Sequence, residues 1–242
     1  MIEITEHLNS LNLQISKALK ASGRPHGTIV LLAVSKKHDI SAIRVAAANG
    51  LTDFGENYVS EAVSKIQQAD FPAKWHFIGR IQSNKTREIA THFDWAQTLD
   101  RIKIAQRLNE QRPAALPPLQ VLIQVQIDPE DQHGGIEPDA ISELAAQIAK
   151  LPQLKLRGLM CIPKACEGKE AQRLPFKHMQ QLFAELRQLH PDIDTLSMGM
   201  SNDLEAAILE GSTMVRIGTA LFGSRNQSPP ENEPDNQHGS TQ

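Results

Sequence analysis

Residues 119–162 read LQVLIQVQIDPEDQHGGIEPDAISELAAQIAKLPQLKLRGLMCI. The two ends, LQVLIQVQI (119–127) and LKLRGLMCI (154–162), are apolar runs rich in β-branched residues and leucine, as strands require. Between them, DAISELAAQIAKL (139–151) has helical periodicity. A strand, a helix and a second strand in this order predict a βαβ unit with a parallel sheet.

The same alternation extends in both directions. Further short apolar runs occur at TIVLLAVSK (28–36), LTDFGEN (51–57), AKWHFIG (73–79), DWAQTLD (94–100), DTLSMGM (194–200) and TMVRIG (213–218). DWAQTLD is the weakest of these and reads equally as loop. A second helical stretch is FKHMQQLFAELRQL (176–189), and an additional N-terminal helix places Leu8, Leu11, Ile15 and Leu19 on one face before Gly23. The runs number eight, which is the count that closes a (β/α)8 barrel. A doubly wound open sheet fits the same alternation, so periodicity leaves both architectures open.

The chain of 242 residues is 40% hydrophobic and 22% charged, with a formal net charge of −3. That balance argues against nucleic acid as the main partner, since phosphate-backbone binders carry a basic excess. The polar, acidic start MIEITEHLNS is unlike a signal peptide, and no run of about 18 apolar residues predicts a membrane span. The expectation is a cytoplasmic protein. Cys161, Cys166 and nine scattered histidines show no disulfide framework and no metal-ligand spacing. RNQSPPENEPDNQHGSTQ (225–242) contains no apolar residue and is expected to be a disordered tail after a single domain spanning 1–224.

In either architecture, function gathers at the carboxyl ends of the strands. There the sequence places Lys36 and Lys37, then Asn57 in FGENY, His76 in WHFIG, Ser201 in MGMSND, and Arg216, Gly218 and Thr219 in VRIGTALFG. The last loop reads as an anion site, with Gly218 admitting close backbone approach, Thr219 opening a helix and Ser201 adding a hydroxyl. A plain helix cap reads the same residues as well. A lysine with an ordinary pKa near ~10.4 is only about 0.1% free amine at neutral pH, so a working amine needs burial or cationic neighbours. Strand parity does not separate Lys36 from Lys37, because both alternating sets in LLAVSK are apolar. GRIQSNKTR (79–87) forms a small basic patch, best read as a helix start carrying solvated charges.

LLAVSK (31–36), FGENYVSEAVSKI (54–66), WHFIGRIQSNK (75–85), RGLMCIP (157–163) and LSMGMSNDLEAAILEGSTMVRIGTALFG (196–223) together resemble the pyridoxal phosphate homeostasis protein family, also called PLP-binding proteins. The resemblance covers roughly residues 2–224. It implies a single (β/α)8 TIM-type barrel like the N-terminal domain of alanine racemase, with the extra N-terminal helix. It also implies that pyridoxal 5′-phosphate (PLP) is held as a Schiff base on Lys36. Ser201, Gly218 and Thr219 then fall where the family holds the phosphate, Arg216 where an arginine faces the pyridine nitrogen, and Asn57 beside the cofactor ring. His76 is carried over as a pocket wall. The implied role is a monomeric, non-catalytic carrier that maintains PLP homeostasis and supplies PLP-dependent apo-enzymes. The alternative is a PLP-dependent racemase or decarboxylase using the same lysine. Racemases of this fold take a tyrosine from an additional domain, for which no length is expected after residue 224. Two positions depart from the family: His133 stands where many relatives have a lysine, and Arg80 where they often have proline or histidine.

Overall fold

The computed structural model describes residues 2–128 and 134–223. His133 and the expected tail, 225–242, lie outside the described residues. Helix α1 (Ile2–Ala21) precedes eight strand–helix pairs. The strands are β1 (Val30–Val34), β2 (Asp53–Glu56), β3 (Lys74–Phe77), β4 (Trp95–Leu99), β5 (Leu119–Gln124), β6 (Leu154–Met160), β7 (Thr195–Ser197) and β8 (Met214–Ile217). The helices following them are α2 (Ile40–Ala48), α3 (Val59–Gln68), α4 (Thr86–His92), α5 (Ile102–Gln111), α6 (Ile141–Ile148), α7 (Lys169–Leu189), α8 (Leu204–Leu209) and α9 (Thr219–Phe222).

The pairing of β1 with β8, Leu32 opposite Arg216, decides between open sheet and barrel. All eight strands are parallel and the ring is closed. DWAQTLD, ambiguous as sequence, contains β4, every residue of which is buried. Its period-2 pattern is weak because both of its faces are covered. Helix α7 begins seven residues before the stretch FKHMQQLFAELRQL and runs through Pro175. Tertiary contacts anchor its early turns: Gln172 Nε2 donates to the Asn202 carbonyl, and Arg173 pairs with Glu210 at 2.6 Å.

One apolar cluster fills the layer between sheet and helices, including Ala33, Phe54, Trp75, Val121, Leu159, Val215 and Ile217 from the strands. Ile43, Ala62, Ile89, Leu108 and Phe183 meet them from the helices. Helix α1 adds Leu8, Leu11, Ile15 and Leu19 to that cluster and packs against the short α8 and α9. His7 reaches the Leu221 carbonyl at 3.0 Å. Just after α1, Arg24 donates to the Ser212 carbonyl at 2.7 Å. No helix among the described residues is long and apolar enough to cross a membrane.

Candidate active-site cavity and its supporting networks

Because Ala33 faces the outer layer, Leu32 and Val34 face the barrel interior. Continuing that parity places Lys36 inward and leaves Lys37 exposed. Lys36 lines a cavity of about 270 Å3 at the carboxyl end of the barrel, with Asn57, Ser201, Arg216, Gly218 and Thr219. Val34, Ile78, Met160, Ile162 and Met200 supply its apolar wall. The volume approaches the lower end of the range for small-molecule sites. A second cavity, of about 930 Å3, adjoins it and shares Met200, Ser201 and Thr219.

The turn carrying Lys36 is fixed by its neighbours. Asp39 caps α2, its carboxylate accepting from the Ala42 N–H at 2.9 Å and from the Ser41 hydroxyl. These bonds hold Asp39 below the usual carboxylate range. His38 stacks on Phe222 with centroids 4.7 Å apart, tying the turn to α9. On the facing side, Gly79 lets the backbone at Asn57 pass closely, since a Cβ there would lie 2.2 Å from the Asn57 carbonyl oxygen. The Asn57 Oδ1 is buried and has no hydrogen-bond partner among the described residues. At Gly218 a Cβ would meet Val34 at an ordinary 3.5 Å, so packing within the protein does not demand glycine there.

Arg216 is 4% exposed and is held from below by three hydrogen bonds. Its Nη1 donates to the Ser197 carbonyl and hydroxyl oxygens, both at 2.8 Å, and its Nη2 to the Cys161 carbonyl at 2.8 Å. Burial lowers its pKa, but an arginine keeps its proton throughout the ordinary pH range. The Ser197 hydroxyl donates to Gln97 Oε1 at 2.8 Å. Gln97 Nε2 then meets His76 Nδ1 at 2.9 Å, and His76 Nε2 meets Asp53 Oδ1 at 3.0 Å.

Burial drives the His76 pKa down, so the imidazole is neutral at neutral pH. The amide of Gln97 is a donor, so Nδ1 accepts and the ring proton sits on Nε2, facing Asp53. Every bond from Arg216 to Asp53 thus points the same way. Burial of Asp53 opposes its ionisation, but the bonds from His76 and Thr52 outweigh it and hold the carboxylate below its usual range.

Besides Lys37, which is exposed, His76 is the sequence candidate that the structure does not bring to the cavity wall. It is 0% exposed, stacks on Trp95 at 5.1 Å, and reaches toward Asp53 at the start of β2. Its position on β3 is two residues short of Ile78, the residue that does line the cavity. Strand-end proximity in the sequence was the signal for His76; the register on β3 places its side chain one level deeper.

Comparison with known proteins agrees with this architecture. Residues 7–226 match the family described as alanine racemase, N-terminal domain. A Pseudomonas aeruginosa protein named pyridoxal phosphate homeostasis protein is 52% identical over 231 residues, covering 95% of this chain and 99% of that protein. The Escherichia coli K12 protein of the same name is 50% identical over 232 residues, 94% of this chain and 99% of its own. The chain belongs to the pyridoxal phosphate homeostasis protein family. PipY of Synechococcus elongatus, solved with PLP bound, superposes with a TM-score of 0.80 at 35% identity, over 91% of this chain and all of PipY. A Clostridium difficile alanine racemase shares the fold, with a TM-score of 0.74 at 15% identity, and this chain spans 58% of its length.

Sequence reading missed several residues that support the site in this family member. Ser197 and Gln97 hold Arg216 and its relay, and Asp203 shapes the turn bearing Ser201 by accepting from the Met200 N–H at 2.5 Å. Burial raises the Asp203 pKa. A further cluster joins Ser35, Glu56, Glu61 and Lys65. Inward parity on β4 and β7 would have pointed to Gln97 and Ser197 once the ring was known to be closed. Glu56 and Lys65 carried no such signal, since each reads locally as a solvated charge.

Proposed function

We propose that this chain binds PLP in the cavity at Lys36 and serves as a carrier that buffers the cofactor and passes it to apo-enzymes. The observation that carries the reading is the convergence, on one cavity, of a strand-end amine, a buried guanidinium and a hydroxyl-and-glycine turn. Lys36 is the group that would hold the aldehyde end of the cofactor. Ser201, Gly218 and Thr219 would hold its phosphate, and Asn57 Oδ1 offers an unused acceptor to a ring hydroxyl. When bound, PLP supplies an electron-withdrawing ring. Arg216 only donates hydrogen bonds, so it suits an unprotonated ring nitrogen and thereby weakens that electron demand.

The same geometry favours a carrier over a racemase. A two-base proton transfer needs a second proton carrier opposite the lysine. Tyr58, the single tyrosine of the chain, is 51% exposed at the start of α3 and does not line the cavity, and His76 lies below it.

Borohydride reduction of the PLP-loaded protein, followed by peptide mapping, is expected to place the pyridoxyl group on Lys36. Attachment to Lys37, or none, would overturn the assignment. Incubation with single-enantiomer amino acids should show no racemization at enzyme rates, on the order of 1 per second or faster. Such turnover, abolished by Lys36→Ala, would overturn the carrier role.

A further inference from the structure

Lys36 is flanked on both sides by residues held by one buried ion cluster. Lys65, on α3, has a side chain only 7% exposed, and Glu56 beside it is 0% exposed. The Lys65 ammonium donates to the Ser35 carbonyl at 2.8 Å, to Glu56 Oε1 at 2.7 Å and to Glu61 Oε1 at 2.6 Å. These three bonds match the donors an ammonium possesses. Glu56 Oε1 also accepts from the Ser35 hydroxyl at 2.6 Å. Glu61 Oε1 accepts from the Lys37 N–H at 2.5 Å. The Ser35 N–H is held by the Gly55 carbonyl at 2.9 Å.

Two features make this more than packing. Lys37 has a φ of 64°, the only non-glycine residue in the left-handed region among those described. A side chain of that type adopts this conformation only where its surroundings enforce it, and such strain gathers at functional sites. The cluster is also poorly suited to stabilise the fold: a buried ion pair often does no better than apolar residues of the same volume. Glu56 Oε2 has no hydrogen-bond partner among the described residues, an added cost of burial.

We propose that Lys65, with Glu56 and Glu61, is a clamp that positions Lys36 by holding Ser35 and Lys37, the residues on either side of it. Lys65, Glu56 and Glu61 are positioning residues that act through the backbone. The inference rests on the reading of Lys36 as the residue that holds PLP.

The test separates attachment from binding. Pyridoxine 5′-phosphate carries the ring and phosphate but no aldehyde, so it reports the cavity without Lys36 chemistry. In Lys65→Met and in Glu61→Ala, covalent attachment of PLP, followed by absorbance and borohydride trapping, should slow by about 10- to 100-fold, the scale of a small misplacement of a reacting group. Affinity for pyridoxine 5′-phosphate should be unchanged. Glu61→Gln keeps an acceptor for the Lys37 N–H and should restore most of the attachment rate. Glu61 has a side chain 28% exposed, so its variants decide the question if Lys65→Met fails to fold. Unchanged attachment in folded variants, or parallel loss of both ligands, would overturn the clamp. Wild-type protein that gives no trapped product on Lys36 would instead overturn the functional reading beneath it.

Discussion

The outer layer and the barrel interior are built from opposite faces of the same strands, and their chemistry differs. On β8, Val215 and Ile217 point out into the apolar cluster, while Arg216 points in and joins Ser197, Gln97, His76 and Asp53 through hydrogen bonds. Barrels of this fold commonly fill the interior with branched aliphatic side chains. Here the inner apolar cluster is small, with Trp95, Leu122 and Met160. The outer layer gains stability from non-directional burial, whereas each interior bond depends on a partner of the right polarity at the right distance. Stability and the placement of Arg216 are thereby assigned to different faces of one sheet.

The strongest way to break that division is to damage the outer layer alone. Phe54 is 0% exposed and lies 5.6 Å, ring to ring, from Trp75. Phe54→Ala should cost about 3–5 kcal/mol in urea unfolding, with the folded fraction binding PLP as the parent does. A large loss of affinity in the folded fraction would show that the two faces are not separable.

The converse is a change at the mouth that spares the fold. If Ser201 and Thr219 hold the phosphate as proposed, Ser201→Ala or Thr219→Ala would remove a bond to a charged group, worth roughly 1.5–3 kcal/mol, and should weaken PLP about 10- to 100-fold. Pyridoxal, which lacks the phosphate, should lose far less. The unfolding midpoint should barely move, because Thr219 is exposed and Ser201 half-buried. Equal losses for pyridoxal and PLP would mean that neither hydroxyl meets the phosphate.

The smallest expected effect sharpens the contrast through pH. His76 is buried neutral, so the unfolded chain binds a proton there that the folded chain resists. Unfolding free energy therefore rises with pH across this window, and the stability it represents is present above the unfolded histidine pKa of about 6.5. It should fall by up to about 1.4 kcal/mol per pH unit as pH drops below that value, until the folded group titrates too. Protonation would also give His76 Nδ1 a hydrogen facing the Gln97 amide, breaking the relay at its centre. Stability measured from pH 7.5 to 5 should show this fall, and His76→Asn should remove it. A parent curve that stays flat would mean that His76 takes up its proton equally in the folded and unfolded protein.

Much of the architecture was legible because strand and helix patterns are local. The stretch at 119–162 already implied a parallel βαβ unit, and eight apolar runs implied eight strands, even where DWAQTLD left its own type open. Lys36, Asn57, Ser201, Arg216, Gly218 and Thr219 could be gathered at one end of the barrel, because parallel strands all deliver their carboxyl ends to the same face. The motifs from 31 to 223 carried enough specificity to place the chain in its family.

Tertiary structure alone decided the rest, and in each case the deciding contact joins residues far apart in sequence. Closure required β1 to meet β8, a pairing that no periodicity encodes. Strand parity separated Lys36 from Lys37 only once Ala33 packed outward, since an apolar residue reads the same on either face of a sheet covered on both sides; before that, the family resemblance alone pointed to Lys36. His76 left the cavity wall because its level in the barrel follows from strand register, not from distance along the chain. The Glu56–Lys65 cluster was invisible for a related reason: a charge on a short strand or helix looks solvated until the fold shows what surrounds it. Hydrophobic periodicity determines which elements form, but which polar groups are buried together depends on how those elements assemble.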